Sequence, residues 1–354
     1  MSDSYVKYRI TPGDIPNYGI MFVDHEKNHR SGHLSHALAQ YGENRIIAFY
    51  SNCSGTRNKW FPGHNGFGWL EYKRSNDGGL TWDKPRVLPY SYDSFINQPF
   101  TVSCEKAVSV KENEIVAFCL RNENPNGWEP YLEPVVIKST DGGDSWSDAK
   151  LLCDKKGRVY DAITDNGIIY VLMLANDDWL AKEPEHRYYI YRSDDGGESF
   201  ALHGELPGDT KGHAYGAMVK RDDGTLLAYE YDINDEFNLV FHVSADMGKT
   251  WIKSGKSYVS KRIRNPQVAK VKGGYILHGR AGCVDADLPM DFVLYTSLDG
   301  ISWDDGVYIC HNDSATAYYS NNLVLDGGRR VLIQSSVPYS KGCVNISHWF
   351  LDIE

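Results

Sequence analysis

Apolar and polar positions alternate in short runs along nearly the whole chain, and the runs are punctuated by Gly, Asn and Asp. A side-chain period of two marks half-buried β-strands, because successive Cβ atoms point to opposite faces. Six stretches repeat one layout: an alternating strand, a tight turn, then a more apolar strand. They start at His33 (HLSHALAQYGENRIIAFYSN), Thr101, Val159, His213, Arg264 and Ala317. A third strand follows each, such as EPVVIKS or RYYIYRS, and the sixth continues as VNISHWFLD. No helical period stands out and no shift in composition marks a boundary, so residues 1–354 read as one all-β domain.

A shorter motif recurs after the third strands: SNDGGLTW at Ser75–Trp82, STDGGDSW at Ser139–Trp146, SDDGGESF at Ser193–Phe200, SADMGKTW at Ser244–Trp251 and SLDGISW at Ser297–Trp303. Its chemistry is that of a hairpin turn, in which Asp caps, Gly takes positive φ and the aromatic packs back on the strands. Six such units predict a six-bladed β-propeller. Four strands per blade leave the last blade one short. The N-terminal VKYRI or YGIMFVD is expected to supply that strand and close the ring.

The pattern S-x-D-x-G-x-[ST]-[WF] resembles the Asp-box, or BNR repeat, of the sialidase superfamily, and the resemblance spans most of the chain. It implies a carbohydrate site in which three arginines clamp a carboxylate, a Tyr helped by a Glu is the nucleophile, and an Asp is the acid/base. Tyr319-Ser320 matches the Tyr-Ser opening of the last blade, and Arg280 matches the third arginine. Where the first arginine would stand, the chain reads His33-Leu34-Ser35-His36. The fourth blade gives His213-Ala214-Tyr215 and Tyr229-Glu230-Tyr231, without arginine. The resemblance therefore implies a sialidase relative with a remodelled clamp and altered specificity.

Composition narrows the partners. The 24 tyrosines, 12 phenylalanines and 9 tryptophans favour strands and suit sugar binding. A net charge of −10 without a Lys/Arg-rich run disfavours nucleic acid and membrane surfaces. No apolar run is long enough to span a bilayer, and the N-terminus has no signal-like apolar stretch, so a cytoplasmic location is expected. The seven cysteines lack CxxC spacing and read as free thiols. No cofactor motif appears, calcium stays open, and the oligomeric state is not legible.

Propeller sites form where first strands start and second strands end. At those places Tyr319 is the candidate nucleophile or acid, Glu230 its base, Asp161 the acid/base and His213 an alternative base. His33, His36, Glu105, Arg121, Tyr215, Arg264 and Arg280 are candidate substrate contacts, with Tyr318 the alternative to Tyr319. Three aromatic insertions on consecutive blades add Arg57, Trp60 and His64, then Trp128, then Trp179, as one side of a cleft. Each has a competing reading as packing: a hydroxyl-bonded tyrosine, an inter-blade ion pair, a strand-edge cap. Three functions stay in view. One is a glycoside hydrolase acting on a terminal sugar, with an acidic sugar suited to the arginines. The others are a lyase with a His or Tyr base and Arg on a uronate, and a non-catalytic binding propeller.

Overall fold

The computed structural model describes residues 5–12, 19–54, 66–97, 100–123, 128–178, 185–208, 210–281, 290–312, 317–340 and 342–354, except the side chains of His213, Met290, His311 and Asn312. Six antiparallel sheets form a ring of six blades. Blade III is typical: Gly157–Asp165 on the inside, then Ile168–Ala175, Arg187–Ser193 and Ala201–Glu205 on the rim. The inner strands of blades II, IV, V and VI are Thr101–Val108, His213–Lys220, Arg264–Val271 and Ser320–Leu325. Blade I differs, since its inner strand is split into Arg30–Ser31 and Leu38–Gly42. The last blade is completed as the alternation required. Both Tyr8–Thr11 and Ile20–Val23 pair with Cys343–Ile353, the last strand of the chain.

Each blade buries its two faces against its neighbours, so the core is divided into six seams. Val271, Ile276 and Leu294 of blade V meet Val331, Ile333 and Leu351 of blade VI. At the closing seam Leu38, Ile46 and Tyr50 of blade I meet Leu332, Ile346 and Phe350 of blade VI, with Phe22 added from the N-terminal strand. Emptying one such position costs about 2–5 kcal/mol, and the loss is felt by both blades.

The repeated turns clamp these seams. In the second copy, Asp141 Oδ1 accepts from Ser139 Oγ at 2.7 Å and from the amides of Asp144 and Ser145 at 3.1 and 2.9 Å. Oδ2 accepts from Ser145 Oγ at 2.5 Å. These bonds, the Ser145 hydroxyl foremost, hold the Asp141 carboxyl down to about 2. Gly142 and Gly143 take φ of 71° and 86°. That lets Gly143 sit against Ile47 and Tyr72 of the preceding blade, whose Tyr72 hydroxyl donates to the Gly143 carbonyl at 2.8 Å. The motif's Trp146 joins the same seam.

One element escapes the strand period. Pro89–Asn97 is an α-helix after the outer strand of blade I. Its buried residues are Ser91 and Ser94, not apolar ones, so no hydrophobic stripe betrays it. Ser91 Oγ accepts the Leu70 amide at 2.8 Å, and Phe95 packs on Trp69.

Asp141→Ala is expected to cost about 1–2 kcal/mol, read as a lower denaturation midpoint, because a charged cap and its backbone donors are lost together. A second expectation concerns acid. Burial holds His36 down to about 4, His25 and His278 to about 3, and His348 well below 6.5. Below pH 6.5 the unfolded chain takes up protons that the folded chain refuses, so stability falls from pH 6.5 towards 4. Denaturation across that range should show uptake of about four protons on unfolding. A pH-independent midpoint would refute the assignment.

Candidate functional site

Local irregularities, not regular strands, build the mouth of the ring. Blades II, III, IV and V each carry a bulge near the start of the inner strand. The residues inside those bulges are Glu105, Tyr160, Tyr215 and the pair Asn265-Pro266. A bulge re-aims side chains that a regular strand would alternate. Ser35, Tyr215, Asn265 and Tyr318 also sit at φ of 68°, 51°, 52° and 62°, in the left-handed region that bulky residues avoid. Such strain, gathered at one end of four inner strands, marks a place where side-chain position matters more than backbone comfort.

Tyr319 lies at the centre. The Arg280 guanidinium stands 4.0 Å from its ring centroid and bonds its hydroxyl. Burial would raise the phenol, but Arg280, Arg264 and Arg158 outweigh burial and hold it below the usual value near 10. The three arginines come from two blades: Arg158 from blade III, Arg264 and Arg280 from blade V. Arg158 donates to Glu105 Oε2 at 2.6 and 3.2 Å and to the Tyr215 hydroxyl at 3.1 Å. Arg264 faces Glu236 Oε1 at 3.3 Å and donates to Tyr231. Buried guanidiniums need such partners, because an unpaired buried charge costs several kcal/mol.

Glu105 and Glu236 answer two of the three guanidiniums. The third carboxyl nearby is Glu129. Burial raises it above 4.5 and Asp178 adds to the rise, against Arg158 and a hydrogen bond with Tyr131. Trp128 stands edge-on to His33, and His33 edge-on to Tyr319, walling the blade I and II side.

A small cavity opens here, lined in part by Arg158, Tyr160, Tyr215, Asn265 and Tyr319. Its floor is Lys106, whose ammonium meets Asp161 at 3.1 Å, Gln267 at 2.8 Å and Asn321 at 2.7 Å, tying blades II, III, V and VI across the axis. Beneath the floor a channel of about 410 Å³ opens on the opposite face.

The expected residues divide accordingly. Tyr319, Arg280, Arg264, Tyr215, Glu105, His33 and Trp128 come together at the mouth. His36 is close by, its ring nitrogen 3.0 Å from the His33 carbonyl. Neither histidine lies on a strand. Asp161, expected as acid/base, braces the floor: besides Lys106 it accepts the amides of Ala162 and Met218 at 2.8 and 2.7 Å. Glu230, expected beside Tyr319, faces along its own sheet to His242 at 3.1 Å. Arg121 is tied to Glu133, and Tyr318 packs in the seam between blades V and VI. Arg57, Trp60, His64 and Trp179 lie outside the described residues, as does the side chain of His213. Sequence reasoning passes over Arg158, Glu129 and Glu236. Arg158 immediately precedes the third repeat, which starts at Val159, but strand alternation gives no reason to prefer it.

No protein-family model matches the sequence, and no curated protein is similar to it. Solved structures do match. A Dyadobacter fermentans protein of unknown function is 15% identical with a TM-score of 0.72, covering 95% of this chain and 97% of its own. The Hadza microbial sialidase Hz136 is 16% identical with a TM-score of 0.70, over 93% of this chain and 67% of its own. Trypanosoma rangeli sialidase in complex with 2,3-difluorosialic acid, a covalent intermediate, is 15% identical with a TM-score of 0.62, over 98% and 59%. This chain thus spans little more than half of that enzyme. At these identities the likeness shows the fold alone: the chain is a six-bladed propeller, the fold it shares with these structures.

Ultraviolet difference titration should reveal one tyrosine ionising below the ordinary range. Tyr319→Phe should remove that step and Arg280→Met should move it upward. Identical titrations in all three proteins would contradict the assignment.

Proposed function

We propose that the protein is a sialidase-like glycoside hydrolase that removes a terminal acidic sugar, with Tyr319 as nucleophile and Glu129 as acid/base. The observation that carries this reading is a buried phenol with Arg280 against its ring, held below its normal pKa by three guanidiniums. A sugar whose carboxylate adjoins the reacting carbon repels a carboxylate nucleophile. A phenol avoids that cost, because it is neutral at rest and its developing charge falls among arginines.

In the first step the Tyr319 hydroxyl releases its proton to solvent and its oxygen bonds to the anomeric carbon as the bond to the leaving oxygen breaks. The Glu129 carboxyl, whose pKa burial raises, gives its proton to that oxygen. In the second step Glu129 takes a proton from water, the water oxygen bonds to the anomeric carbon, and Tyr319 leaves as a phenolate beside Arg280 and regains its proton from solvent. Two displacements at one centre retain the configuration. The arginines Arg264 and Arg280 hold the sugar carboxylate, while Arg158 is kept by Glu105 and Tyr215. The convergence of so many titratable groups speaks against a purely passive binding propeller.

Proton NMR of the protein with sialylated, uronate-ended and neutral oligosaccharides tests this directly. New reducing-end anomeric signals from an acid-ended sugar are expected, and Tyr319→Phe should lower the rate by about 10³-fold or more. Glu129→Gln should cost ~10²-fold with a sugar leaving group and much less with an aryl leaving group, which departs without a proton. An olefinic ring proton would replace hydrolysis by a lyase reaction. Cleavage of neutral sugars alone would remove the role given to the arginines.

A further inference from the structure

Asn265 combines two costs that nothing in the fold repays. Its backbone is held at φ 52° inside the blade V bulge, next to Arg264. Its side chain is buried, 6% exposed, and the amide Nδ2 has no hydrogen-bond partner among the described residues. A buried N–H left without an acceptor keeps its full desolvation penalty. The other left-handed asparagines differ: Asn44, Asn113 and Asn166 sit in the hairpin turns that end inner strands, where that conformation makes the turn. Asn265 is not in such a turn, and it lines the cavity that holds Tyr319, Arg158 and Tyr215. The neighbouring guanidiniums already supply the charged donors. What Asn265 adds is a neutral donor in a fixed position, suited to an uncharged oxygen.

Resting on the glycosidase reading, we propose that Asn265 is a specificity residue that donates from Nδ2 to an uncharged acceptor oxygen of the bound sugar, a hydroxyl or N-acyl carbonyl, while the arginines take its carboxylate. The bulge and its left-handed residue are held in place to aim that donor. The sugar selected is therefore one that carries both an anionic group and a neutral acceptor on the face turned to blade V.

Replacement by glycine separates this role from a structural one. Asn265→Gly relieves the backbone and removes the unpaired amide, so the melting temperature should rise by about 2–4 °C. Binding of N-acetylneuraminic or glucuronic acid, whichever stabilises the wild type more in thermal shift, should weaken roughly fivefold to tenfold. Asn166→Gly, which relieves the same conformation in the hairpin of blade III, should leave that binding unchanged. A variant that is more stable and yet binds less well cannot be explained by misfolding. Wild-type affinity in Asn265→Gly, or a lower melting temperature than the wild type, overturns the proposal. Sugar-acid binding without hydrolysis of any glycoside overturns the catalytic reading and leaves the Asn265 comparison intact. Failure of the wild type to bind either sugar acid overturns both.

Discussion

A propeller blade has no interior of its own. Each sheet hides its two faces only against its neighbours, so the ring must close before any blade is satisfied. Here closure rests on the pairing of Tyr8–Thr11 and Ile20–Val23 with Cys343–Ile353, and on Phe22 filling the seam between blades I and VI. The repeated Ser-Asp turns act on the same constraint from the far face. Each fixes a tight corner whose glycine allows contact with the preceding blade, as Gly143 does with Tyr72 and Gly300 with Tyr229. Lys106 does the equivalent at the axis, where four blades meet through one ammonium.

That rigid frame allows charge to be concentrated at its mouth. Three guanidiniums brought together in water would drift apart. Here Arg158 and Arg264 are pinned by Glu105 and Glu236, and Arg280 lies against the Tyr319 ring. This placing of three guanidiniums around Tyr319 is what holds its phenol below the ordinary pKa against burial.

Much of this was legible in the sequence because it follows from periodicity. Alternation, the recurring Ser-Asp-Gly-aromatic motif and the missing strand of the last unit give six blades and their closure. Tyr319, Arg264, Arg280 and Tyr215 were legible as residues of the mouth because they lie where strands begin or end. Asp161 and Glu230 were misplaced for a common physical reason. Both were assigned to the mouth by strand position, but side-chain direction near a bulge does not follow the period of two, and the bulges at Val159/Asp161 and Ala214/Gly216 lie beside them. Arg158 and Glu129 were missed on the same ground. Their importance lies in contacts across blades, between residues far apart in the chain. The helix at Pro89–Asn97 was hidden because serines, not apolar residues, form its buried face.

The most direct test of this account is covalent. A ring-fluorinated glycosyl fluoride of an acidic sugar loses fluoride readily, while the second displacement is slowed, so the sugar stays on the nucleophile. Intact-protein mass spectrometry followed by peptide mapping should find one sugar per chain, attached to the peptide bearing Tyr319 and absent from Tyr319→Phe. Attachment to Glu129, Glu105 or Glu236, or fluoride release without any adduct, would contradict a tyrosine nucleophile held ready by its arginines.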